Sequence, residues 1–228
     1  MTDRELIARV RPNTYLPRAK LRNLLRLVRD LRRRGVAGDI VECGVYRGGS
    51  AGLLAYACAG ERHTWLFDSF AGLPQPTAED AGGRLLGRET GERCVARLVR
   101  KPDAPLRPIN HCVGTREEVE ALLFETGLMI ERKTVTVIQG WFQETLAPAC
   151  ARIPKIALLH LDGDWYESTA VCLKHLFDLV AAGGWVVVDD YGYWHGCRKA
   201  VDEFLALRKL APCKHNIGSA IYFQAGEY

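Results

Sequence analysis

The sequence has no paired cysteines, no long apolar run and no large excess of charge. Its 8 cysteines are scattered, without a C-x-x-C pair or a zinc-like spacing, which is typical of reduced thiols in a cytoplasmic protein. No segment approaches the roughly 18 apolar residues of a membrane span, and the first residues lack a signal-peptide core. A net charge of +4, without a basic stripe interleaved with aromatics, argues against nucleic acid as a partner and is compatible with an anionic small molecule.

The chain favours a single α/β domain. Its 228 residues suit one domain of this class, and no repeat, low-complexity segment or linker interrupts them. Short apolar runs predict strands at 39–46, 63–70, 134–142, 155–164 and 184–192. Helical patterns occupy 16–35, 50–60, 116–128, 167–184 and 197–210, and a closing hairpin is predicted at 214–224. This alternation predicts a mostly parallel sheet with helices on both faces and an antiparallel C-terminal edge.

Two segments lie outside this alternation. Residues 1–36 form an N-terminal helical segment whose arginines fill one helix face, which indicates a solvated surface more than a partner-binding patch. Residues 71–115 are irregular and rich in proline and glycine, although 91–101 has a helical pattern. Because so long a stretch inside a domain is usually functional, we expect residues 71–115 to act as a lid or binding insertion.

The first strand ends in the glycine-rich turn ECGVYRGGS (42–50). Small residues let the backbone approach a ligand closely where a strand turns into a helix. The pattern is not G-x-G-x-x-G, so a pyrophosphate cradle is disfavoured. A cofactor whose carboxylate and amine bind backbone groups fits better, and S-adenosylmethionine is such a cofactor. An ordinary strand–helix turn is the alternative.

An acid, Asp68, ends the second strand. It follows Gly44 at about the spacing, roughly 20 residues, at which dinucleotide-binding folds place the acid that binds a ribose. We therefore expect Asp68 to accept hydrogen bonds from ribose hydroxyls. A helix cap or an Asp turn is the alternative role.

Four aspartates follow the fourth and fifth strands: Asp162 and Asp164 after the fourth, Asp189 and Asp190 after the fifth. If these strands are neighbours, the carboxylates crowd together and raise one another's pKa unless a cation intervenes. Carboxylate oxygens suit Mg²⁺, Mn²⁺ or Ca²⁺ more than zinc. The pattern thus predicts a divalent-cation site, with turn aspartates that cap helices as the alternative. His160, inside an apolar run, indicates a core histidine, whereas the role of His195 stays open.

Five segments together resemble the macrocin O-methyltransferase family. They are VECGVYRGGSA (41–51), FDSFAGLP (67–74), GWFQETL (140–146), LDGDWYEST (161–169) and VVDDYGYWHGCRKAVDEF (187–204), and the resemblance extends from about Thr14 to Phe223. It implies a single Rossmann-like class I methyltransferase domain with a seven-stranded sheet. It also implies an enzyme that uses S-adenosylmethionine and Mg²⁺ or Mn²⁺ to methylate sugar hydroxyls in antibiotic biosynthesis.

The resemblance also implies roles for single residues. The metal ligands would be Asp162, Asp189 and Asp190, and the general base would be Asp164. The cofactor-binding residues would be Thr14, Glu42, Cys43, Gly44, Val45, Tyr46, Ser50, Asp68, Ser69, Gly140 and Trp141. Residues 75–110 do not match the family pattern clearly, so the acceptor is the least determined part. Family members often assemble, and the arginine-rich helix is a candidate homo-oligomer interface.

The function that the sequence favours is cation-dependent methylation of a sugar hydroxyl, on a glycosylated natural product or a nucleotide sugar. One alternative is an enzyme with a catechol or phenolic acceptor, whose neighbouring oxygens would chelate the same cation. A second is a non-catalytic S-adenosylmethionine-binding protein, which would not need the carboxylates. A third, an NAD-dependent oxidoreductase, lacks the remaining fingerprint glycines and a hydride-transfer residue set.

Overall fold

The computed structural model describes residues 1–58, 60–81, 99–101, 104–126 and 134–227. The helices are α1 (Asp3–Val10), α2 (Arg18–Arg34), α3 (Gly49–Cys58), α4 (Arg116–Glu125), α5 (Phe142–Cys150), α6 (Tyr166–Leu176) and α7 (His195–Leu207). The strands are β1 (Asp39–Cys43), β2 (Thr64–Asp68), β3 (Val135–Gln139), β4 (Ile156–Leu161), β5 (Val180–Val188), β6 (His215–Ile217) and β7 (Ala220–Gln224).

All seven strands form one sheet in the order β3-β2-β1-β4-β5-β7-β6. Strands β1 to β5 are parallel, and β7 pairs antiparallel with both β5 and β6. The predicted parallel sheet with an antiparallel edge is therefore confirmed. The strand order reverses between β1 and β4, and ligands of such sheets bind in the crevice beyond the carboxyl ends of the strands at this point.

Helices cover both faces of the sheet, as expected for strands with continuously apolar sequences. On one face, α5, α6 and α7 pack against the sheet through residues such as Leu146, Leu173 and Val201. On the other, α1, α2 and α3 contribute residues such as Leu6, Leu24 and Leu54. The resulting core buries β1 and β4 on both sides and fixes the positions of the residues that follow them.

The boundary between α6 and β5 was predicted wrongly. The sequence pattern continues the helix to Gly183 and Gly184, whereas α6 ends at Leu176 and β5 already begins at Val180. Gly183 has φ 75° and donates its N–H to the carbonyl of Ala225, beside a register shift in the β4–β5 ladder. The glycines thus mark an irregularity inside a strand, a role that isolated strand glycines commonly have.

Helix α5 was not predicted, because Pro148 lies inside it and interrupts the helical pattern. Helix α2 ends at Gly35, whose φ of 65° closes the helix as the sequence suggests. Its exposed arginines form ion pairs with acids, for example Arg29 with Asp3.

Every cysteine in the described ranges is a free thiol. None of the helices in those ranges has the length and apolarity that crossing a bilayer requires.

Candidate active site

A cavity of about 1290 Å³ lies at the carboxyl ends of the parallel strands. It brings together most of the residues that the sequence singled out: Thr14, Gly44, Val45, Tyr46, Ser50, Asp68, Ser69, Gly140, Trp141, Asp162, Asp164, Asp189 and Asp190. Its volume exceeds that of a typical pocket for one drug-sized molecule, which is about 300–1,000 Å³. The cavity therefore has room for a cofactor and a second small molecule.

The turn after β1 approaches the end of β4 so closely that only glycine fits at Gly44. A Cβ atom there would lie 1.8 Å from the carbonyl oxygen of Asp162, and the φ of Gly44 is 92°. Both features exclude a side chain. The next two residues, Val45 and Tyr46, present their backbone N–H groups to the Oδ2 atom of Asp68 at 2.7 and 2.9 Å.

Asp68 closes this turn through its carboxylate. Besides the two N–H groups of the turn, its Oδ1 atom accepts the N–H of Phe70 at 2.7 Å. Burial raises the pKa of Asp68 above its ordinary value, although the backbone N–H donors act in the opposite direction. The turn-forming role that the sequence left open is thus present. A carboxylate offers about four acceptor positions, so Asp68, which lines the cavity, can still accept a further hydrogen bond.

The remaining cavity-lining residues of the predicted cofactor site lie around this turn. Thr14 packs against Gly49 at the start of α3, where a Cβ would come within 2.7 Å of the threonine side chain. Gly140, with φ 138°, donates its N–H to the Asp68 carbonyl at 2.9 Å and leads into Trp141 at the start of α5. These contacts place the loops after β1, β2 and β3 around one end of the cavity.

Two predicted cofactor residues, Glu42 and Cys43, do not line the cavity. The Glu42 carboxylate is fully buried and lies 2.8 Å from Nδ1 of His160, so His160 is the core histidine that its apolar strand indicates. Cys43 belongs to the core cluster beneath α6, and burial raises the pKa of its thiol well above the ordinary value. His195, the first residue of α7, is likewise outside the cavity lining.

Three carboxylates meet at the ends of β4 and β5. One carboxylate oxygen from each of Asp162, Asp189 and Asp190 lies within 4.8 Å of the others. Their proximity follows from the parallel β4–β5 pairing, in which the Asp189 N–H donates to the Leu161 carbonyl at 2.8 Å. Burial and the neighbouring carboxylates raise the pKa values of Asp162 and Asp190 well above the ordinary range. An all-oxygen donor set of this kind fits a hard divalent cation such as Mg²⁺ or Mn²⁺.

One further observation supports the fit of a cation. The Oδ1 atom of Asp189 is buried and has no hydrogen-bond partner among the described residues. Its other oxygen, Oδ2, accepts a hydrogen bond from the ammonium of Lys20 at 2.5 Å. A buried carboxylate oxygen without a donor is costly unless a ligand compensates it. The sequence pattern did not single out Lys20, although its spacing of four residues from Leu24 places it on the apolar face of α2.

Asp164 lies beside the three carboxylates, and its backbone N–H donates to Oδ2 of Asp190 at 3.3 Å. It adopts a left-handed conformation with φ 58°, and its Oδ1 atom accepts the indole N–H of Trp194 at 2.7 Å. Burial raises the pKa of Asp164 to about 7, and the Trp194 hydrogen bond acts in the opposite direction. A carboxylate with a pKa near the operating pH is well suited to accept a proton.

Aromatic side chains that the sequence analysis did not single out line the cavity beside Asp164. The rings of Trp165 and Trp194 lie 4.8 Å apart, and Tyr193, half exposed, meets the Trp194 ring edge-on at the same distance. The signal was the aromatic run YGYWH, which follows directly after the acids of β5. These rings form an apolar wall, which we call the aromatic wall (Trp165, Tyr193 and Trp194).

The described parts of residues 71–115 form one side of the cavity. Leu73 donates its N–H to the His111 carbonyl and accepts the N–H of Ile109 at its own carbonyl, and Pro74 bridges Pro108 in an antiparallel arrangement. The Trp165 indole N–H donates to the Pro74 carbonyl at 2.9 Å, which ties this segment to the aromatic wall. The predicted helical pattern at 91–101 lies mainly outside the described residues, and closure of the segment as a lid stays a prediction.

The chain is similar in sequence to several known proteins. The sequence model of the macrocin-O-methyltransferase family matches residues 10–96 and 110–225, so residues 75–96, which were expected to depart from the family pattern, lie within the match. The chain is 34% identical over 203 residues to the demethyldecarbamoylnovobiocin O-methyltransferase of Streptomyces niveus. This match covers 87% of this chain and 70% of the relative. It is 32% identical over 196 residues to the 8-demethyl-8-(2,3-dimethoxy-alpha-L-rhamnosyl)-tetracenomycin-C 4'-O-methyltransferase of Streptomyces olivaceus, covering 84% and 67%.

The fold is similar to that of a solved relative. The structure of the O-methyltransferase NovP superposes with a TM-score of 0.75 and 32% sequence identity, over 93% of this chain and 81% of that chain. The similarity of fold therefore extends over nearly the whole of this chain.

Proposed function

We propose that this chain, which belongs to the macrocin-O-methyltransferase family and is an S-adenosylmethionine-dependent O-methyltransferase, methylates a sugar hydroxyl. The acceptor would be a glycosylated natural product or a nucleotide sugar. The main support is that three groups line one cavity. They are the cofactor turn (Gly44, Val45 and Tyr46), the carboxylate cluster (Asp162, Asp189 and Asp190) and Asp164.

The loops after β1, β2 and β3 would hold the cofactor. The turn of Gly44, Val45 and Tyr46 would lie against its methionine part, with Thr14 and Ser50 beside it. Asp68 and Ser69 would bind the ribose, and Gly140 and Trp141 would lie on the adenine side. All of these residues line the cavity, which supports the assignment. Glu42 and Cys43, in contrast, would act from beneath the turn by fixing the end of β1.

Asp162, Asp189 and Asp190 would hold a divalent cation. When bound, S-adenosylmethionine supplies an electrophilic methyl group, and the cation supplies Lewis acidity that lowers the pKa of a coordinated hydroxyl. The protein's own contribution is to fix the three carboxylates on adjacent strand ends. This arrangement orients the acceptor relative to the cofactor turn, so that positioning accounts for much of the rate.

Asp164 would accept the proton of the acceptor hydroxyl. Its pKa of about 7 keeps a large fraction ionised near neutral pH while leaving it basic enough to take a proton. The Trp194 indole donates to one carboxylate oxygen, Oδ1, and the other oxygen, Oδ2, would face the acceptor. The described part of residues 71–115 would exclude water from this side.

The acceptor class rests on the relatives and on the shape of the site. The name of one relative describes a substrate that contains a rhamnosyl group. The aromatic wall beside Asp164 offers apolar faces on which the carbon-bound hydrogens of a sugar ring can pack. A catechol or phenolic acceptor is the second candidate, because neighbouring oxygens would bind the same carboxylate-held cation.

A methyl-transfer assay on matched acceptors separates the two candidates. The panel contains rhamnosides and other glycosides, nucleotide sugars, and catechols without a sugar. Transfer to a glycoside or a nucleotide sugar that depends on a divalent cation is the expected result. Transfer to catechols alone would refute the sugar assignment, whereas transfer that persists in EDTA would refute the role of the cation.

A further inference from the structure

A buried ammonium occupies one side of the carboxylate cluster. The Nζ atom of Lys20 donates to Oδ2 of Asp189 at 2.5 Å, to the Asp189 carbonyl at 3.1 Å and to Oγ of Ser219 at 2.8 Å. Only 7% of Lys20 is exposed. The ammonium therefore uses all three of its donors and joins α2, the end of β5 and the turn between β6 and β7.

The contact divides the two oxygens of Asp189 between different tasks. Oδ2 is held by Lys20, whereas Oδ1 is buried without a hydrogen-bond partner among the described residues. Lys20 thus holds one side of the carboxylate, and one carboxylate oxygen of Asp189 lies within 4.8 Å of carboxylate oxygens of Asp162 and Asp190. A lysine is rarely buried unless it is paired, and here the paired group is one that the cation site requires.

We propose that Lys20 is the internal counter-ion of the carboxylate cluster. Its ammonium stabilises the cation-free protein and lowers the affinity of the cluster for a divalent cation. This inference rests on the cation site of the proposed function. The ammonium supplies one positive charge to the cluster when no cation is bound. It also repels a cation that binds to the same carboxylate.

Two effects of Lys20 on cation binding oppose each other, and their sizes decide the result. Fixing the short Asp189 side chain improves cation affinity by about fivefold at most, since little rotamer freedom is lost. Repulsion between an ammonium and a divalent cation on one carboxylate weakens binding by roughly tenfold or more, even at the dielectric constant of water. Repulsion is therefore expected to dominate, and removal of the lysine charge should tighten cation binding.

The test compares Lys20→Met with wild type in two measurements without any acceptor. Thermal unfolding in EDTA measures the stability of the cation-free protein, and titration with Mn²⁺ followed by electron paramagnetic resonance measures affinity. We expect Lys20→Met to lower the Tm in EDTA and to bind Mn²⁺ at least threefold more tightly. Lys214→Met is the matched control, because Lys214 pairs with Asp202 outside the cavity and should leave Mn²⁺ affinity unchanged.

A double variant, Lys20→Met/Asp189→Asn, covers the case in which Lys20→Met does not fold. Because it removes both charges, it should be more stable in EDTA than Lys20→Met. A double variant no more stable than Lys20→Met would overturn the counter-ion role. Weaker Mn²⁺ binding by Lys20→Met would overturn the predicted effect on affinity. If neither wild type nor Lys20→Met binds Mn²⁺, both the cation site and the effect of Lys20 on affinity are refuted. The stability of the double variant in EDTA still tests the counter-ion role independently.

Discussion

The indole N–H of Trp194 donates a 2.7 Å hydrogen bond to the Oδ1 atom of Asp164. Trp194 immediately precedes α7, and Asp164 lies in the loop between β4 and α6, so this bond joins two loops at the carboxyl edge of the sheet. It also distinguishes Asp164 from the other carboxylates, because Asp162, Asp189 and Asp190 receive no comparable donor from the aromatic wall among the described residues. The bond gives Asp164 a fixed orientation.

Asp164→Asn should lose turnover and keep ligand binding. The amide has nearly the same shape but cannot accept the proton, so kcat should fall by about 10²–10⁴-fold. Affinity for S-adenosylhomocysteine and for Mn²⁺ should remain within about threefold of wild type, because none of the predicted contacts to either ligand is removed. Initial-rate kinetics and calorimetric titrations measure these quantities.

The matched control for this variant is Asp202→Asn. Asp202 lies on α7 and accepts hydrogen bonds from Tyr191 and Lys214, outside the cavity lining. It should retain wild-type kcat. Normal turnover by Asp164→Asn would show that another group accepts the proton.

Trp194→Phe should shift the pH dependence of the reaction. The indole hydrogen bond favours the charged form of Asp164 and lowers its pKa. Its loss therefore raises that pKa, and the acid limb of the kcat/KM profile should move to higher pH. Trp185→Phe is the control, because its indole N–H donates to Asp30, away from the cavity. An unchanged acid limb in Trp194→Phe would argue against Asp164 as the titrating base.

The cation-free protein should lose stability as the pH rises. Burial and neighbouring carboxylates raise the pKa values of Asp162 and Asp190, and burial raises that of Asp164 to about 7. A carboxyl group with a raised folded pKa stabilises the fold below its unfolded pKa, about 3.9, and loses this contribution as pH rises through the folded value. The Tm in EDTA should therefore fall between about pH 4 and pH 7.

Added Mg²⁺ should restore the Tm most strongly at the upper end of this pH range, where the carboxylates are ionised. An Asp190→Asn variant should show a flatter pH dependence and a smaller response to Mg²⁺. Equal stabilisation by Mg²⁺ at pH 4 and pH 7 would contradict the assignment of the carboxylate cluster as its binding site. Thermal unfolding across a pH series measures all of these values.

Gly44→Ala should damage the cofactor turn. The added Cβ would lie 1.8 Å from the Asp162 carbonyl oxygen at a φ of 92°, so the backbone must move. We expect a loss of about 1–3 kcal/mol or more in unfolding free energy and at least tenfold weaker binding of S-adenosylhomocysteine.

Gly35→Ala separates strain from crowding. Gly35 also has a positive φ, 65°, but nothing lies within 4 Å of a Cβ there. This substitution should cost about 1–2 kcal/mol in unfolding free energy and leave cofactor affinity unchanged. If the two alanine variants bind S-adenosylhomocysteine with equal affinity, the turn of Gly44 is not part of the cofactor site.

The sheet and the carboxylate cluster could be predicted from the sequence because their signals are local. Continuous apolar runs mark the buried strands, and the acids that end β4 and β5 stand directly after those runs. Neighbouring parallel strands then bring the acids together without further information. The end of α6 was missed because Gly183 and Gly184 have the same sequence appearance in a strand irregularity as at a helix end.

The contacts between distant segments could not be read in the same way. Lys20 reaches Asp189, and Trp194 reaches Asp164, through the packing of helices and loops that no local pattern specifies. The Glu42–His160 pair is a similar case, since adjacent strands β1 and β4 bring its members together across the sheet. The motif ECGVYRGGS predicted Glu42 among the cofactor-binding residues, whereas the side chain of Glu42 lies buried beneath the turn.

A crystal structure with S-adenosylhomocysteine and Mn²⁺, in which anomalous scattering locates the metal, tests the proposed cation site most directly. We expect one Mn²⁺ at coordination distance, about 2 Å, from Asp162, Asp189 and Asp190, with the sulfur of S-adenosylhomocysteine facing the same cavity. Cofactor density in the cavity without an anomalous peak at these three carboxylates would contradict the proposed cation site.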